Sequence, residues 1–508
     1  MIESHANYPQ HAVYDADVVV VGTGAGGAPV GAQLAQAGFN VLFVEEGGYH
    51  PTSSFNPYVS ESIPRLFRDG GATVIFGNPP IPFVEGRCVG GSTVINGGMT
   101  WRTPEPVLAE WEDSVRDSSL SAQAMAPYFE RVEGRISAKG QHPVSVGHEN
   151  AIMYQGAKKM GWDVEVNHRN QELCVGTNNC IFGCPTGAKQ STLVSYMPKA
   201  LAAGAGCLTE VRIEEVLQQG GHAVGVQGRA INPRTRKLEQ KVTVRAKIVI
   251  IACGAIQTPY LLLKHKLGRQ SKQLGRNFFC HPNAKVLALY PNEVKGWQGV
   301  SQFSQIRQFR DEGIILADNM IGPGPMASNI PFHGAKAWEI MQRYNHSIQS
   351  GVLVEDSKSG RITRGPFGTA IARYDISSYD HTRFLKGIRL LAQMHFEMGA
   401  DRVILPFTNL HEVKSVDELE RIDVTQRKPK TLELFTVHLM GTARMGDRPE
   451  TSVINSSGEM WDLKDCYVTD ASTFPTPVGV NPQVSIIAMS LRIADRIAER
   501  ALKLPKVA

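Results

Sequence analysis

The segment 17–45 constrains the fold of this 508-residue chain more than any other part of the sequence. A hydrophobic run leads into a glycine cluster, a helix-like stretch follows, and a second hydrophobic run ends in Glu45. This order predicts the strand–turn–helix–strand unit of a dinucleotide-binding site. Gly22 allows the tight turn, Gly24 lets the backbone approach a pyrophosphate, and Gly27 lets the helix pack close to the strand.

Glu45 follows the first glycine at close to the offset of about 20 residues that a ribose-binding acid has in such units. The pyrophosphate would lie at the helix N-terminus, where free N–H groups and the helix dipole favour negative charge. This motif alone does not separate FAD from NAD.

The composition is that of a globular protein, with 42% hydrophobic and 20% charged residues. The net charge of +5 is small and its charges are interspersed, so we expect no nucleic-acid partner. No apolar run reaches about 18 residues, so no transmembrane segment is expected. The polar first 16 residues lack the features of a signal peptide, which favours a cytoplasmic location. The alternative is a periplasmic protein exported with a partner subunit.

Further motifs recur in a fixed order along the chain. They are the glycine-rich segment 86–99, the strand end and helix 254–262, the segment 274–282, the segment 438–446, the tripeptide 470–472 and the dipeptide 481–482. Together with residues 17–45, these motifs resemble in sequence and order those of the glucose–methanol–choline (GMC) oxidoreductases. The resemblance spans nearly the whole chain.

This resemblance implies an α/β fold in which a Rossmann-like FAD-binding domain is assembled from discontinuous segments and carries an inserted α+β substrate domain. We expect residues 1–105, 195–285 and 431–508 to form the FAD-binding domain. Residues 106–194 and 286–430 would form the substrate or cap domain, with a cysteine-rich loop at 174–184.

The resemblance also implies which residues hold FAD. Glu45 would bind the adenosine ribose, and Val211 would contact the adenine through its backbone. The expected contacts of the remaining cofactor are the flavin-loop residues Gly91, Ser92, Asn96 and Gly97, and, beside the pyrophosphate and ribityl chain, Asp470 and Ala471. Some relatives tether the flavin through a histidine in the glycine-rich loop, and Ile95 occupies that position here, so FAD should be non-covalent.

His438 and Asn481 match the catalytic positions of the family. Flavin-dependent alcohol oxidation moves a hydride to N5 and a proton to a base, and a histidine suits that base. Asn481 could donate a hydrogen bond to the substrate oxygen. The His–Asn pair resembles cholesterol, choline and long-chain alcohol oxidases, which favours a primary or secondary, apolar alcohol as substrate.

Cys174, Cys180 and Cys184 are clustered in the segment CVGTNNCIFGC. Clustered thiolates bind soft metals and iron–sulfur clusters, and the loop resembles that of bacterial FAD dehydrogenases with a three-iron (3Fe-4S) cluster. Such a cluster would pass electrons to an external cytochrome or quinone. Buried thiols, a Cys180–Cys184 disulfide, and zinc held with His168 are the alternatives.

Two other functions remain open at this stage. One is an alcohol oxidase that uses O₂ and has no cluster. The other is a non-redox, lyase-like flavoprotein.

Overall fold

The computed structural model describes residues 1–426 and 428–503. The strands, in chain order, are β1 (Ile2–Glu3), β2 (His11–Val21), β3 (Val41–Val44), β4 (Thr73–Ile75), β5 (Ile81–Phe83), β6 (Ala138–Gly140), β7 (Val164–Val166), β8 (His168–Asn170), β9 (Gly206–Leu208), β10 (Val211–Gln219), β11 (His222–Ile231), β12 (Leu238–Ile251), β13 (Asn283–Leu289), β14 (Ser304–Ile306), β15 (Ile314–Asp318), β16 (Ser347–Val354), β17 (Arg361–Arg364), β18 (Ala370–Arg373), β19 (Arg402–Ile404), β20 (Glu412–Val413) and β21 (Cys466–Val468).

The α-helices, in chain order, are α1 (Gly27–Gln36), α2 (Val59–Leu66), α3 (Ser92–Ile95), α4 (Glu105–Val115), α5 (Ala122–Arg135), α6 (His148–Lys159), α7 (Thr192–Ser195), α8 (Met197–Ala202), α9 (Gly254–Lys264), α10 (Pro323–Asn329), α11 (Gly334–Gln342), α12 (Ser378–Glu397), α13 (Glu420–Thr425) and α14 (Gln483–Lys503). None of the described helices combines the length and the apolar character that crossing a bilayer requires.

The first large sheet has a parallel core with the strand order β1-β9-β3-β2-β12, and β21 pairs with the end of β12. Strands β11 and β10 extend this sheet as an antiparallel hairpin. Val18–Val20 of β2 are fully buried within the parallel core, and α1 packs on β2 and β3. The α/β class predicted from the sequence is confirmed.

The second sheet is antiparallel, with the strand order β20-β19-β13-β16-β15-β14-β7. One face packs on α12, which buries Phe384, Ile388 and Leu391 against the alternate residues of β13 and β16. The other face turns towards the parallel sheet, since Gln305 of β14 contacts Asn481, which lies just before α14.

The division into two domains stays a prediction. The helices and strands within the range 106–194, which was predicted to belong to the cap, pack on both sheets. Helices α4 and α5 share one hydrophobic cluster with the parallel sheet, and α5 packs on α14. Within the range 106–194, β7 joins the antiparallel sheet.

Candidate functional site

The glycine-rich turn after β2 packs too tightly for a side chain at Gly22 and at Gly27. Gly22 has φ +101°, and a Cβ there would lie 2.3 Å from the carbonyl oxygen of Ala252. A Cβ on Gly27 would lie 1.9 Å from the carbonyl oxygen of Gly22. At Gly24, by contrast, the nearest atom would be 3.8 Å away, which leaves space beside the turn. Gly22 and Gly27 have the conformation and close packing expected of a glycine turn, and the approach of a pyrophosphate at Gly24 stays a prediction.

Glu45 lies directly beside this turn at the end of β3. Its carboxylate accepts hydrogen bonds from the backbone N–H (3.1 Å) and hydroxyl (2.7 Å) of Thr23 and from the N–H of Gly47 (2.9 Å). Burial raises the pKa of Glu45, and these hydrogen bonds oppose that rise. The N–H of Val211 donates to the carbonyl of Glu45 at 3.0 Å, so the residues predicted at the ribose and the adenine are neighbours.

The glycine-rich loop 86–99 docks on the same turn. The N–H of Gly90 donates to the Thr23 hydroxyl at 3.0 Å. Gly91 has φ +52°, and a Cβ there would lie 2.9 Å from the Cα of Gly24. Ser92 then starts α3, and its hydroxyl accepts a hydrogen bond from Gly86.

Asn96 and Gln483 form a buried amide pair at the end of α3. The Nδ2 of Asn96 donates to Oε1 of Gln483. The remaining amide atoms, Oδ1 of Asn96 and Nε2 of Gln483, are buried and have no hydrogen-bond partner within the described residues. One free acceptor and one free donor suit the polar edge of a heteroaromatic ring.

Asp470 connects the end of β21 to the start of α9. Its carboxylate accepts hydrogen bonds from the N–H of Gly254 (2.8 Å), the hydroxyl of Thr258 (2.5 Å) and the N–H of Ser472 (2.8 Å). Burial raises its pKa against these hydrogen bonds. The segment carrying Asp470 and Ala471 also packs on the glycine turn, since a Cβ on Gly26 would lie 2.7 Å from the Cα of Asp470.

His438 and Asn481 meet as the sequence predicted. The Nδ2 of Asn481 lies 3.3 Å from Nε2 of His438, while Nδ1 of His438 is buried without a partner in the described part of the chain. Burial, and secondarily the charge of Lys285, lowers the pKa of His438 to about 4. The imidazole is therefore neutral at physiological pH, which is the form that accepts a proton.

Sequence reasoning missed four residues around this pair. Gln305 donates to Oδ1 of Asn481 at 3.0 Å, Gln483 bonds to Asn96, and His281 and Lys285 influence His438. Two of them had a usable signal: His281 ends the motif 274–282, and Gln483 follows the 481–482 dipeptide. Nothing local in the sequence marks Lys285 or Gln305.

The three clustered cysteines line one enclosed cavity, together with Arg169 and Lys189. The Nζ of Lys189 donates to the carbonyl oxygens of Val94 (2.7 Å) and Asn96 (2.8 Å) and to that of Cys180 (2.6 Å). The same lysine therefore joins the flavin loop to the cysteine loop.

This cavity gives no support to a bound metal. Its volume is about 10 Å³, which is room for about one water molecule. All three are free thiols, and the described residues hold no group of three or more His, Cys, Asp or Glu placed to bind a metal ion. His168, the fourth zinc ligand considered from the sequence, is not among the residues lining the cavity. Burial raises the pKa of Cys174, whereas at Cys184 hydrogen bonds from Thr186 and Lys189 outweigh burial and lower the pKa.

A larger cleft of about 380 Å³ opens beside the flavin loop at Gly97. Its walls carry apolar and aromatic side chains from the 174–184 loop, from the segment 297–324 and from Tyr344, together with polar side chains such as Arg169 and Gln302. The larger apolar and aromatic side chains are Ile181, Phe182, Trp297, Met320, Ile321 and Tyr344. His438 and Asn481 are not among the residues that line the cleft. A cleft of this volume and lining is typical of a small-molecule site.

Comparisons with known proteins agree with this fold and site. Sequence profiles described as GMC oxidoreductase match residues 63–283 and 356–490. An uncharacterized GMC-type oxidoreductase of Mycobacterium tuberculosis (strain ATCC 25618 / H37Rv) is 31% identical over 490 residues, covering 96% of this chain and 76% of that protein. The long-chain-alcohol oxidase FAO1 of Arabidopsis thaliana is 27% identical over 525 residues, covering 97% and 68%.

Among solved structures, pyridoxine 4-oxidase from Mesorbium loti superposes with a TM-score of 0.71 at 16% identity, covering 94% of this chain and 98% of that one. Such a likeness shows a shared fold. On the profile matches and the mycobacterial relative, the chain belongs to the GMC oxidoreductase family and is an oxidoreductase of the class that acts on alcohols.

Proposed function

We propose that this protein oxidises an apolar primary or secondary alcohol to the carbonyl compound, with non-covalently bound FAD as hydride acceptor. His438 takes the hydroxyl proton and Asn481 donates a hydrogen bond to the substrate oxygen. The observation that carries this proposal is the contact of 3.3 Å between Nδ2 of Asn481 and Nε2 of His438, a partly buried histidine whose pKa is lowered to about 4.

The residues present fit FAD. The acid Glu45, the glycine turn and the segment at Asp470 meet at the carboxyl ends of β2, β3 and β21, where α/β folds bind dinucleotides. The buried, unpartnered atoms of Asn96 and Gln483 suit the edge of the ring system. Ile95 has no atom that could form a covalent tether. When bound, FAD supplies the hydride-accepting chemistry.

His438 and Asn481 would have different roles towards the substrate hydroxyl: one accepts its proton and the other donates a hydrogen bond to its oxygen. When the alcohol binds, its hydroxyl can replace the N–H of Asn481 as the donor to the single lone pair of Nε2, which can then take the hydroxyl proton. The second N–H of Asn481 can donate to the same oxygen and stabilise its developing negative charge. Asn481 is buried and His438 is partly buried, which limits the access of water and strengthens these interactions.

An apolar substrate is supported by the cleft of about 380 Å³ beside Gly97. Its walls, at Phe182, Trp297 and Met320 among others, would cover a hydrocarbon chain and contribute about 0.8 kcal/mol for each buried methylene group. The naming of the Arabidopsis relative as a long-chain-alcohol oxidase points in the same direction.

The test of this function is flavin reduction by alcohols without oxygen. His438→Ala should retain FAD in its visible spectrum, while the rate of flavin reduction by a long-chain primary alcohol falls about 10²–10⁴-fold. His222→Ala is the matched control, since His222 pairs with Asp465 at the surface. Reduction of His438→Ala at the wild-type rate would rule out the assignment. Failure of every alcohol to reduce the wild type would favour the lyase-like alternative.

The electron acceptor follows from a second measurement. O₂ as acceptor is supported by the oxidase named among the relatives, and it predicts stoichiometric peroxide release in air. An iron–sulfur relay through Cys174, Cys180 and Cys184 to a cytochrome or quinone is the second candidate, favoured by the link that Lys189 makes to the flavin loop. It requires about three irons per chain in protein purified without oxygen, and their loss in Cys180→Ser. Iron-free wild-type protein would end this candidate.

A further inference from the structure

Gln305 reaches from the antiparallel sheet to the proposed catalytic pair. It lies on β14, is 3% exposed, and donates from Nε2 to Oδ1 of Asn481 at 3.0 Å. Its other amide atom, Oε1, accepts a hydrogen bond from Nη1 of Arg307 at 3.3 Å. A continuous chain of contacts thus runs from Arg307 through Gln305 and Asn481 to His438.

The arginine gives this chain a single direction. Amide oxygen and nitrogen atoms are normally assigned only from their surroundings, but a guanidinium group has donors and no acceptor. Oε1 of Gln305 must therefore face Arg307, which leaves Nε2 to donate to Oδ1 of Asn481. Nδ2 of Asn481 then faces His438, whose Nε2 must accept, so the proton of the neutral ring resides on Nδ1.

Arg307 is itself held in place. Its guanidinium carbon lies 4.2 Å from the ring centroid of Trp101, and its Nε forms an ion pair of 3.2 Å with Glu165 on β7. Glu165 is the residue directly opposite Gln305 in the pairing of β7 with β14. The antiparallel sheet therefore fixes both the position and the direction of the arginine donor.

We propose that Gln305, oriented by Arg307, is a positioning residue that sets the amide direction of Asn481 and thereby the tautomer of His438 that can accept a proton from the alcohol. This inference rests on the proposed function. In this proposal the antiparallel sheet helps to set the tautomer of His438.

The discriminating variant is Gln305→Glu. One carboxylate oxygen would still accept from Arg307, but the other would oppose Oδ1 of Asn481, so the Asn481 amide would turn over. Its oxygen would then face Nε2 of His438 and favour a proton there. Nε2 would then carry the proton and could not take one from the alcohol, so kcat/KM should fall about 10–100-fold.

The same variant should change the pH dependence. A carbonyl oxygen next to Nε2 stabilises the protonated ring, so the acid limb of kcat/KM should move to higher pH. The titratable groups that face His438 are His281, with ring centroids 5.8 Å apart, and Lys285. Neither contacts Gln305 among the described residues, so their influence stays the same in both proteins.

The experiment compares four forms of the FAD-bound enzyme: wild type, Gln305→Glu, Gln305→Leu and Gln308→Glu. Gln305→Leu removes the orienting contact without reversing it, so kcat/KM should fall while the acid limb stays in place. Gln308→Glu is the matched control, since Gln308 belongs to the same segment and its side chain accepts from the N–H of Asp163. It should behave as wild type.

Nitrogen NMR of protein labelled in histidine supplies a readout that does not depend on turnover. The His438 signal is assigned by its loss in His438→Gln. We expect the Nδ1–H tautomer in wild type and the Nε2–H tautomer in Gln305→Glu. The same tautomer in both proteins, or an unmoved acid limb with kcat/KM near wild type in Gln305→Glu, would overturn the inference. If wild-type protein oxidises no alcohol, the proposed function fails while the tautomer comparison still decides the role of Gln305.

Discussion

The imidazole rings of His281 and His438 meet edge to face, with their centroids 5.8 Å apart and their planes at 89°. His281 also accepts a hydrogen bond at Nε2 from the N–H of Gly479 at 3.3 Å, in the loop that carries Asn481. Burial lowers the pKa of both rings, and for His281 the neighbouring His438 lowers it further. Both imidazoles are therefore uncharged at neutral pH, and His281 anchors the loop that carries Asn481.

The acid limb of the activity should depend on Lys285. His438 works as a base only when neutral, so kcat/KM falls as the pH drops through its folded pKa of about 4. Lys285→Met removes a positive charge that contributes to this lowering, so the pKa of His438 should rise and the acid limb should move to higher pH. The pH profile of flavin reduction measures this. An unmoved or downward-shifted limb would contradict the electrostatic link.

Acid should destabilise the fold through His395. This ring is fully buried, contacts the hydroxyls of Tyr290 (2.8 Å) and Ser350 (2.9 Å), and has its pKa lowered by burial to about 3. The unfolded chain binds a proton below about 6.5 and the folded chain does not, so stability present above pH 6.5 is lost as the pH falls towards 3.

Each such histidine contributes a slope of up to about 1.4 kcal/mol per pH unit in the free energy of unfolding. His395→Gln keeps a hydrogen-bonding side chain but cannot titrate, so its slope should be shallower than that of wild type. Urea unfolding at a series of pH values decides this, and parallel slopes in the two proteins would refute it.

The sequence predicted the parts of the site that are local in the chain. The glycine turn, Glu45 and the 86–99 loop each follow from short segments whose geometry is set by neighbouring residues. The His438–Asn481 contact followed from the family resemblance. Gln305 could not be predicted, because it lies 176 residues from Asn481 and comes to it only through the register of the antiparallel sheet.

The cysteine loop shows a different limit. Spacing correctly indicated that Cys174, Cys180 and Cys184 lie near one another. The spacing could not show that Lys189 and Arg169 lie beside these cysteines. Lys189 donates hydrogen bonds to three carbonyl oxygens there. The amount of room left between side chains is a property of the packed fold, and beside these thiols it is about 10 Å³, which is room for about one water molecule.

FAD affinity should depend on Glu45 and not on its neighbour. Glu45→Gln replaces a carboxylate oxygen by an amide N–H that opposes the donors of Thr23 or Gly47. Loss of hydrogen bonds to a charged group corresponds to about a ten-fold or larger increase in the Kd of FAD. Glu46→Gln is the control, since Glu46 forms ion pairs with Arg68 and Arg212. The affinity of this variant for FAD should stay near that of wild type. Titration of apoprotein with FAD measures both, and equal Kd values for the two variants would contradict the role of Glu45.

Chain-length preference should change when the cleft is filled. Gly322 lines the cleft, and a Cβ added at this glycine would meet no described atom within 4 Å, so the first atom of the Gly322→Phe side chain has room. The ring would displace several methylene groups at about 0.8 kcal/mol each, raising KM about ten-fold or more for long alcohols. Short alcohols should be unaffected. Gly140→Phe, at an equally open position on β6, is the control. An unchanged ratio of kcat/KM between long and short alcohols would mean that the hydrocarbon part of the substrate does not bind in this cleft.

The glycine turn should not tolerate a single added methyl group at Gly27. A Cβ on Gly27 would lie 1.9 Å from the carbonyl oxygen of Gly22 and 3.2 Å from the Cβ of Ala252, so α1 must move away from β2. Backbone atoms cannot yield as a side chain can, and overpacking of this kind costs about 1–3 kcal/mol or more. Gly134→Ala on α5 is the matched control, because no described atom lies within 4 Å of its Cβ and alanine favours helix by about 1 kcal/mol. Thermal unfolding of the two apoproteins should therefore shift in opposite directions, downward for Gly27→Ala and upward for Gly134→Ala. A Gly27→Ala protein as stable as wild type would mean that the turn and the helix can move apart with no loss in the free energy of unfolding. The close packing that brings Glu45, Gly91 and Asp470 together would then not depend on Gly27.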